Sequence, residues 1–264
     1  MLLFDAHCHL DDEWYDEDRD NLIEEIKKEV PRLISSGYDL KSSKYAVELT
    51  HKYDFIYTTI GISPNDVKET IEEADKDINE IESMIIEDRN TGNSKIVAIG
   101  EIGLDYHYNT ENKDIQKYYF VNLIKLANKY DLPIVIHTRE AVSDTLEILK
   151  ENEVINRGAF HCCPLNRELV KEALKLGFYI SFCGPVTFKN SKNANEIIEM
   201  VPDDRFTIET DSPYLCPEPK RGQRNDPRNV RHIAEKVSEV KGRYVSEIAE
   251  MAYNNANKLY KIED

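Results

Sequence analysis

No run of about 18 apolar residues occurs in this chain, which excludes a helix long and apolar enough to cross a membrane. The strand-like run from Leu2 follows Met1 with no basic and apolar leader, so no cleavable signal peptide is expected and the protein reads as cytoplasmic. Cysteine is scarce. The five residues Cys8, Cys162, Cys163, Cys183 and Cys216 are odd in number and form no C-x-x-C pair, which argues against a disulfide framework and a cysteine-type zinc site. Cys8 and Cys162 each adjoin a histidine, and strand alternation would turn them to the opposite face as small buried packing. Positive charge is in deficit: 34 Lys and Arg stand against 50 Asp and Glu, a net charge of −16. Such a surface repels polyanions and disfavours wrapping long nucleic acid nonspecifically. A small phosphate pocket stays open to it, because bound divalent cations reverse the local field. Glycine-rich phosphate loops of the dinucleotide or Walker type are missing too, as are interdomain linkers and low-complexity segments. The acidic run Asp11 to Asp20 reads as a solvated loop and helix start rather than a second metal site.

What the chain does have is alternation. Its 264 residues are 41% hydrophobic and 32% charged, enough for one large core under a charged surface. Eight apolar, β-branched runs read as strands: Leu2 to His9, Arg32 to Ser35, Phe55 to Ile62, Lys95 to Glu101, Pro133 to His137, Gly158 to His161, Phe178 to Phe182 and Phe206 to Thr210. Segments of helical period separate them, as where Leu22, Ile23, Ile26 and Val30 mark one face; others cover 40–52, 67–88, 112–130, 140–151, 166–176, 192–200 and 228–260. Strict alternation predicts a parallel sheet, and eight repeats predict its closed form, a (β/α)₈ TIM barrel in a single domain spanning residues 1–264. An open doubly wound sheet is the runner-up, weakened by the missing phosphate loop.

In such a barrel the site is built at the carboxyl ends of the strands. Those ends carry His7 and His9, then Ser63, Glu101, His137, His161 and Asp211. In a strand, His7 and His9 share one face and aim two imidazoles at one point. Each residue alone has an ordinary explanation: packed core histidines, a strand-end glutamate, Asp211 capping Ser212-Pro213. Six ligand-type residues at five strand ends are harder to assign to packing. Four imidazoles and two carboxylates suit two divalent ions, Zn²⁺ or Mn²⁺ better than Mg²⁺. Glu101, flanked in Ile99-Gly100-Glu101-Ile102-Gly103 by glycines that permit close approach, is the natural bridge, and Asp211 would bind one ion and steer a proton. His51, His107 and His232 fall in helices or loops, with solvated or capping roles expected. Arg139, two residues after His137, and Arg221 and Arg224 in the loop Pro217 to Pro227 are either phosphate contacts or surface ion-pair partners.

Several of these motifs together resemble one family, the TatD-type metal-dependent deoxyribonucleases of the amidohydrolase superfamily. They are Asp5-Ala6-His7-Cys8-His9-Leu10, Gly100-Glu101-Ile102-Gly103-Leu104-Asp105-Tyr106, Ile136-His137-Thr138-Arg139, Phe160-His161-Cys162, Glu209-Thr210-Asp211-Ser212-Pro213-Tyr214-Leu215 and Arg221-Gly222 followed by Asn225. They occur in family order and extend to the closing Asn255-Ala256-Asn257-Lys258-Leu259-Tyr260. The resemblance implies a barrel that hydrolyses phosphodiester bonds of DNA with two divalent ions, through a metal-bridging hydroxide. It assigns His7, His9 and Asp211 to one ion, His137 and His161 to the other and Glu101 between them, with Asp211 and Glu101 catalytic. Arg139, Ser63 and Arg221 would meet the substrate, and the acidic surface favours strand ends or short single-stranded DNA. Two stretches depart from the family pattern: Gly61-Ile62-Ser63-Pro64 has a serine where a histidine is usual, and Cys163-Pro164-Leu165-Asn166 follows His161-Cys162. Both fall where substrate should lie. The competing readings are the same metal core attacking carbon, in a lactone, an amide or an aminoacyl-tRNA ester, and a metal-binding scaffold without catalysis.

Overall fold

The apolar runs become eight strands in the computed structural model, which describes residues 1–108 and 110–263. They are β1 (Phe4–Cys8), β2 (Arg32–Ser36), β3 (Ile56–Ile60), β4 (Ile96–Asp105), β5 (Ile134–Arg139), β6 (Gly158–Phe160), β7 (Tyr179–Phe182) and β8 (Phe206–Ile208). Between and after them lie α1 (Arg19–Glu29), α2 (Leu40–Lys52), α3 (Ile71–Asn90), α4 (Lys113–Lys129), α5 (Val142–Glu151), α6 (Arg167–Lys175), α7 (Ala194–Met200), α8 (Val230–Lys241) and α9 (Val245–Tyr260). The strands follow one another in chain order in one parallel sheet, which with the alternating helices is the (β/α)₈ barrel expected. A doubly wound sheet would start in its middle and reverse direction, and that order is not seen.

The chain packs as two compact units, Met1–Ser35 with His161–Asp264, and Ser36–Phe160. In the first, α9 buries Ile248, Ala249, Ala252, Tyr253, Ala256, Leu259 and Tyr260, a stripe at helical spacing, and packs on β1 and β8. Its rings Tyr253 and Tyr260 lie 5.8 and 6.5 Å from Phe4, so the start of the strand that carries His7 is clamped by aromatic contacts. Each fully buried large apolar side chain contributes about 1.5–3 kcal/mol. In the second unit, α4 packs on β4 through buried Tyr119, Phe120, Leu123, Ile124 and Ala127. Side-chain caps start two of its helices: Asp39 and Ser42 form a capping box on α2, and Thr70 accepts from the Glu73 N–H on α3.

Several boundaries shift from expectation, and two of the differences have identifiable reasons. The helical segment read as one piece over 228–260 is two helices, because Gly242 takes a left-handed conformation at φ 63° and ends α8. β4 does not stop at Glu101 but runs on to Asp105, which puts Glu101 mid-strand. Gly103 makes the extension possible: at φ 140° it pairs with His137, and a Cβ there would lie 2.0 Å from the His137 carbonyl oxygen. His137 in turn lies inside β5, which runs to Arg139.

Candidate metal centre

In the unit formed by the chain's two ends, β1 carries His7, and His9 follows just beyond it; both are buried. The His7 N–H donates to Asp5 at 3.3 Å. Asp5, itself fully buried, also accepts from the Thr210 N–H at 2.9 Å and the Thr210 hydroxyl at 2.5 Å. Burial pushes the Asp5 carboxyl well above the usual carboxylate range, against the pull of those donors. Backbone bonds complete the junction: Asp211 N–H to His7 O at 2.9 Å, and His9 N–H to Ser212 O at 2.8 Å. Asp211 sits at φ 54°, a left-handed conformation that aspartate tolerates better than most residues.

The junction brings three donor atoms together. His7 Nε2 lies 3.3 Å from His9 Nε2, His9 Nε2 lies 3.3 Å from Asp211 Oδ1, and His7 Nε2 lies 3.8 Å from Asp211 Oδ1. Ligands about 2.1 Å from a tetrahedral ion stand about 3.4 Å apart, so these separations match the edges of a coordination shell. Two neutral imidazoles and a carboxylate suit a borderline divalent cation, and the donor set fits one. The His161 ring stacks on His7, centroids 4.0 Å apart, and its Nδ1 lies 3.3 Å from Glu209 Oε1. Glu209, 1% exposed, accepts from the Ser181 hydroxyl and the Cys162 N–H at 2.5 Å each.

In the other unit, His137 stands between two carboxylates. Its Nδ1 lies 2.9 Å from Glu101 Oε1 and its Nε2 lies 2.9 Å from Asp105 Oδ2. Burial disfavours an imidazolium here, but the Asp105 and Glu101 carboxylates outweigh it and push the ring up to about 10. Asp105 moves the opposite way. Burial would raise it, yet His137, the His107 N–H at 2.9 Å and the Asn65 amide at 3.3 Å hold it down to about 2. Gln116 of α4 fixes the Asp105 backbone, its Oε1 accepting from the Asp105 N–H at 2.9 Å and its Nε2 donating to the Asp105 carbonyl at 3.0 Å. Any ion bound through a ring nitrogen of His137 must displace a proton.

Asp105 and Glu209 were missed as site residues by reading the sequence, although both stand in the quoted motifs. The available signal was an acidic residue closing an apolar run, as Glu209 closes Phe206-Thr207-Ile208. Cys8 is buried, with its thiol donating to Ile34 O at 3.2 Å, as expected of packing. Cys162 corrects the parallel expectation. β6 ends at Phe160 and Cys162 turns through φ 38°, so alternation no longer governs it. Its thiol lies within 4.8 Å of Cys183 and of an Asp211 carboxylate oxygen.

The expected substrate contacts sit in varied surroundings. Ser63 is buried in a turn, its N–H on Tyr38 O at 2.7 Å and its hydroxyl accepting from the Asn65 N–H at 3.4 Å. Nearby Asp66 is raised to about 6 by burial and by the Asp39 and Glu101 charges. The Arg139 guanidinium lies 4.7 Å from the Tyr108 ring centre, and that of Arg221 4.0 Å from Phe188, with Nη1 donating to Asn190 at 3.4 Å. Arg224 is the surface ion pair, bidentate on Asp18 at 2.8 and 2.6 Å. His107 and His232 pair with Glu140 and Glu235 at 2.7 and 2.9 Å, and His51 is exposed in the last turn of α2. Asn166, one of the departures from the family pattern, caps α6 by accepting from the Leu169 N–H at 3.0 Å.

Comparison with known proteins agrees with this donor chemistry. The model of the TatD-related DNase family matches residues 4–261. YabD of Bacillus subtilis strain 168, named an uncharacterised metal-dependent hydrolase, is 43% identical over 264 residues, covering 99% of this chain and 100% of its own. YcfH of Escherichia coli K12, named likewise, is 35% identical over 270 residues, covering 100% and 97%. Among solved structures, the TatD homologue YjjV of Escherichia coli K12 superposes with a TM-score of 0.89 at 23% identity, over 99% and 98% of the two chains. An organophosphorus hydrolase of Deinococcus radiodurans shares the fold with a TM-score of 0.69 at 11% identity, over 98% and 92%. With a family model spanning nearly the whole sequence and a relative aligned end to end, the chain belongs to the TatD-related DNase family of metal-dependent hydrolases.

Proposed function

We propose that the protein hydrolyses phosphodiester bonds of DNA, at strand ends or in short single strands, with two divalent ions. The observation that carries the reading is the His7, His9 and Asp211 donor triangle, with its 3.3 to 3.8 Å edges. These three would hold one ion, and Glu101 and His137 supply a carboxylate oxygen and a ring nitrogen toward the second. Divalent ions there supply Lewis-acid charge at a phosphoryl oxygen and bring water toward ionisation near neutral pH. Asp5 and Glu209, both buried, keep the segments bearing His7, His161 and Asp211 in place. The remaining oxygen of the Asp211 carboxylate would accept the proton that the attacking water gives up and pass it to the leaving strand oxygen as the phosphorus–oxygen bond breaks, which returns Asp211 to its carboxylate form. Arg139 supplies charge to a nonbridging phosphate oxygen. A net charge of −16 opposes long duplex and favours short substrates.

The test is a hydrolysis screen of metal-loaded protein against single-stranded DNA, a base-free phosphodiester and a panel of lactones and aminoacyl esters. Nucleotide release is expected, abolished by chelator and reduced at least about 100-fold in Glu101→Ala and Asp211→Asn. Brisk ester hydrolysis with no nucleotide release would instead establish attack on carbon, which the same ions can support.

A further inference from the structure

Two large aromatic residues beside the His7, His9 and Asp211 cluster face solvent on a hydrogen-bonded backbone. Trp14 is 53% exposed and Tyr214 45% exposed. Their ring centres stand 6.0 Å apart with planes inclined at 53°, and that of Tyr214 stands 6.2 Å from the His9 ring at 61°, so an aromatic corner opens beside a metal-ligand candidate, with a face of one ring next to the edge of the other. Polar tethers hold the Tyr214 ring through its hydroxyl and Trp14 through its backbone. The Tyr214 hydroxyl donates to Asp12, whose other carboxylate oxygen accepts from the Trp14 N–H at 2.9 Å. The Trp14 carbonyl accepts from Arg224 at 2.7 Å, and the same guanidinium is locked on Asp18. The acidic run that holds Trp14 is also partly neutralised, because Arg19 binds Asp16 at 2.6 Å and the carbonyls of Leu10, Asp11 and Asp12. Core packing does not require these rings to stand in water. Holding the Tyr214 ring and the Trp14 backbone in advance lowers the ordering cost of a stacked ligand.

We infer that Trp14 and Tyr214 form a stacking platform for one nucleobase of a single-stranded substrate, next to the scissile phosphate. The inference rests on the phosphodiesterase reading and adds to it the group recognised. Base stacking on an aromatic ring tolerates every base, so the platform confers a preference for unpaired over paired nucleotides without sequence preference. A base inside a duplex has both faces covered and cannot use it.

Trp14 is the only tryptophan of the chain and reports on its own contacts. Metal-loaded full-length protein is titrated with a phosphorothioate hexathymidylate, which resists cleavage, and with its abasic counterpart. Saturable quenching of tryptophan fluorescence is expected with the first, and binding about 5- to 100-fold weaker with the abasic strand. In turnover of ordinary oligonucleotides, Trp14→Ala should raise KM by a similar factor, Trp14→Phe should restore most of it, and hydrolysis of the abasic strand should stay within about twofold of the parent. Equal binding of the two strands, or a Trp14→Ala loss equally large on the abasic strand, overturns the platform. Absence of hydrolysis on both strands, with base-dependent quenching intact, overturns the phosphodiesterase reading and leaves the platform standing.

Discussion

His137 shows how much chemistry one side chain can take from its partners. With both ring nitrogens 2.9 Å from carboxylates, the metal-free ring holds its proton up to about 10 against an ordinary value near 6.5. The folded state therefore binds this proton more tightly than the unfolded chain. The stabilisation is fully present below about pH 6.5 and is lost as pH rises through about 10. Chelator-treated protein should thus melt at progressively lower temperature between pH 7 and 10, and His137→Gln should flatten that slope; parallel slopes would refute the assignment. The identity of His137 as a candidate ligand could be read from the chain, because His, Asp and Glu at strand ends are recognisable by type. Its second partner Asp105 could not. Whether a carboxylate faces a ring or the solvent depends on cross-strand register, and β4 extends four residues past the expected end. Glu209 escaped for the same reason, since its donors Ser181 and Cys162 come from other elements.

At the scale of elements, β4 and β5 are the pair on which Glu101, Asp105 and His137 depend. Gly103 permits their close pairing, so Gly103→Ala must push against the His137 backbone that a Cβ would approach to 2.0 Å. We expect a loss of about 1–3 kcal/mol or more in urea unfolding, together with weaker metal binding, because the displaced carbonyl belongs to the ligand residue itself. Unchanged stability and metal affinity would show that the strand pair absorbs the methyl group. Gly242 provides the contrast: at φ 63° with open space around it, its role is to let the backbone turn. Helix period alone merged α8 and α9, since one left-handed residue leaves the apolar repeat on either side intact. The strands were easier, as short β-branched runs bounded by turns admit few other readings.

For the whole molecule the governing quantity is charge. A surface carrying −16 gains nothing from counterion release on long DNA, so any affinity must come from a few local contacts. On short single strands, log kcat/KM should therefore change little or rise as salt goes from about 50 to 200 mM, because screening weakens the overall repulsion. A steep fall, as for proteins that neutralise many phosphates, would reveal a basic track that the composition does not suggest.

Alternation of eight apolar runs with helical segments determined a parallel sheet with crossover helices and made the closed barrel the favoured reading, because a parallel strand must be followed by a crossover; the strand order in chain sequence then excluded the open doubly wound alternative. The residue types alone also determined that a divalent cation was the chemistry to look for. Tertiary structure decided which atoms meet: that His7, His9 and Asp211 stand at coordination spacing, that Asp105 and Glu209 join the imidazoles, and that Trp14 and Tyr214 stand side by side in solvent. Those meetings depend on hydrogen bonds and strand register between segments up to 210 residues apart, which no local pattern encodes.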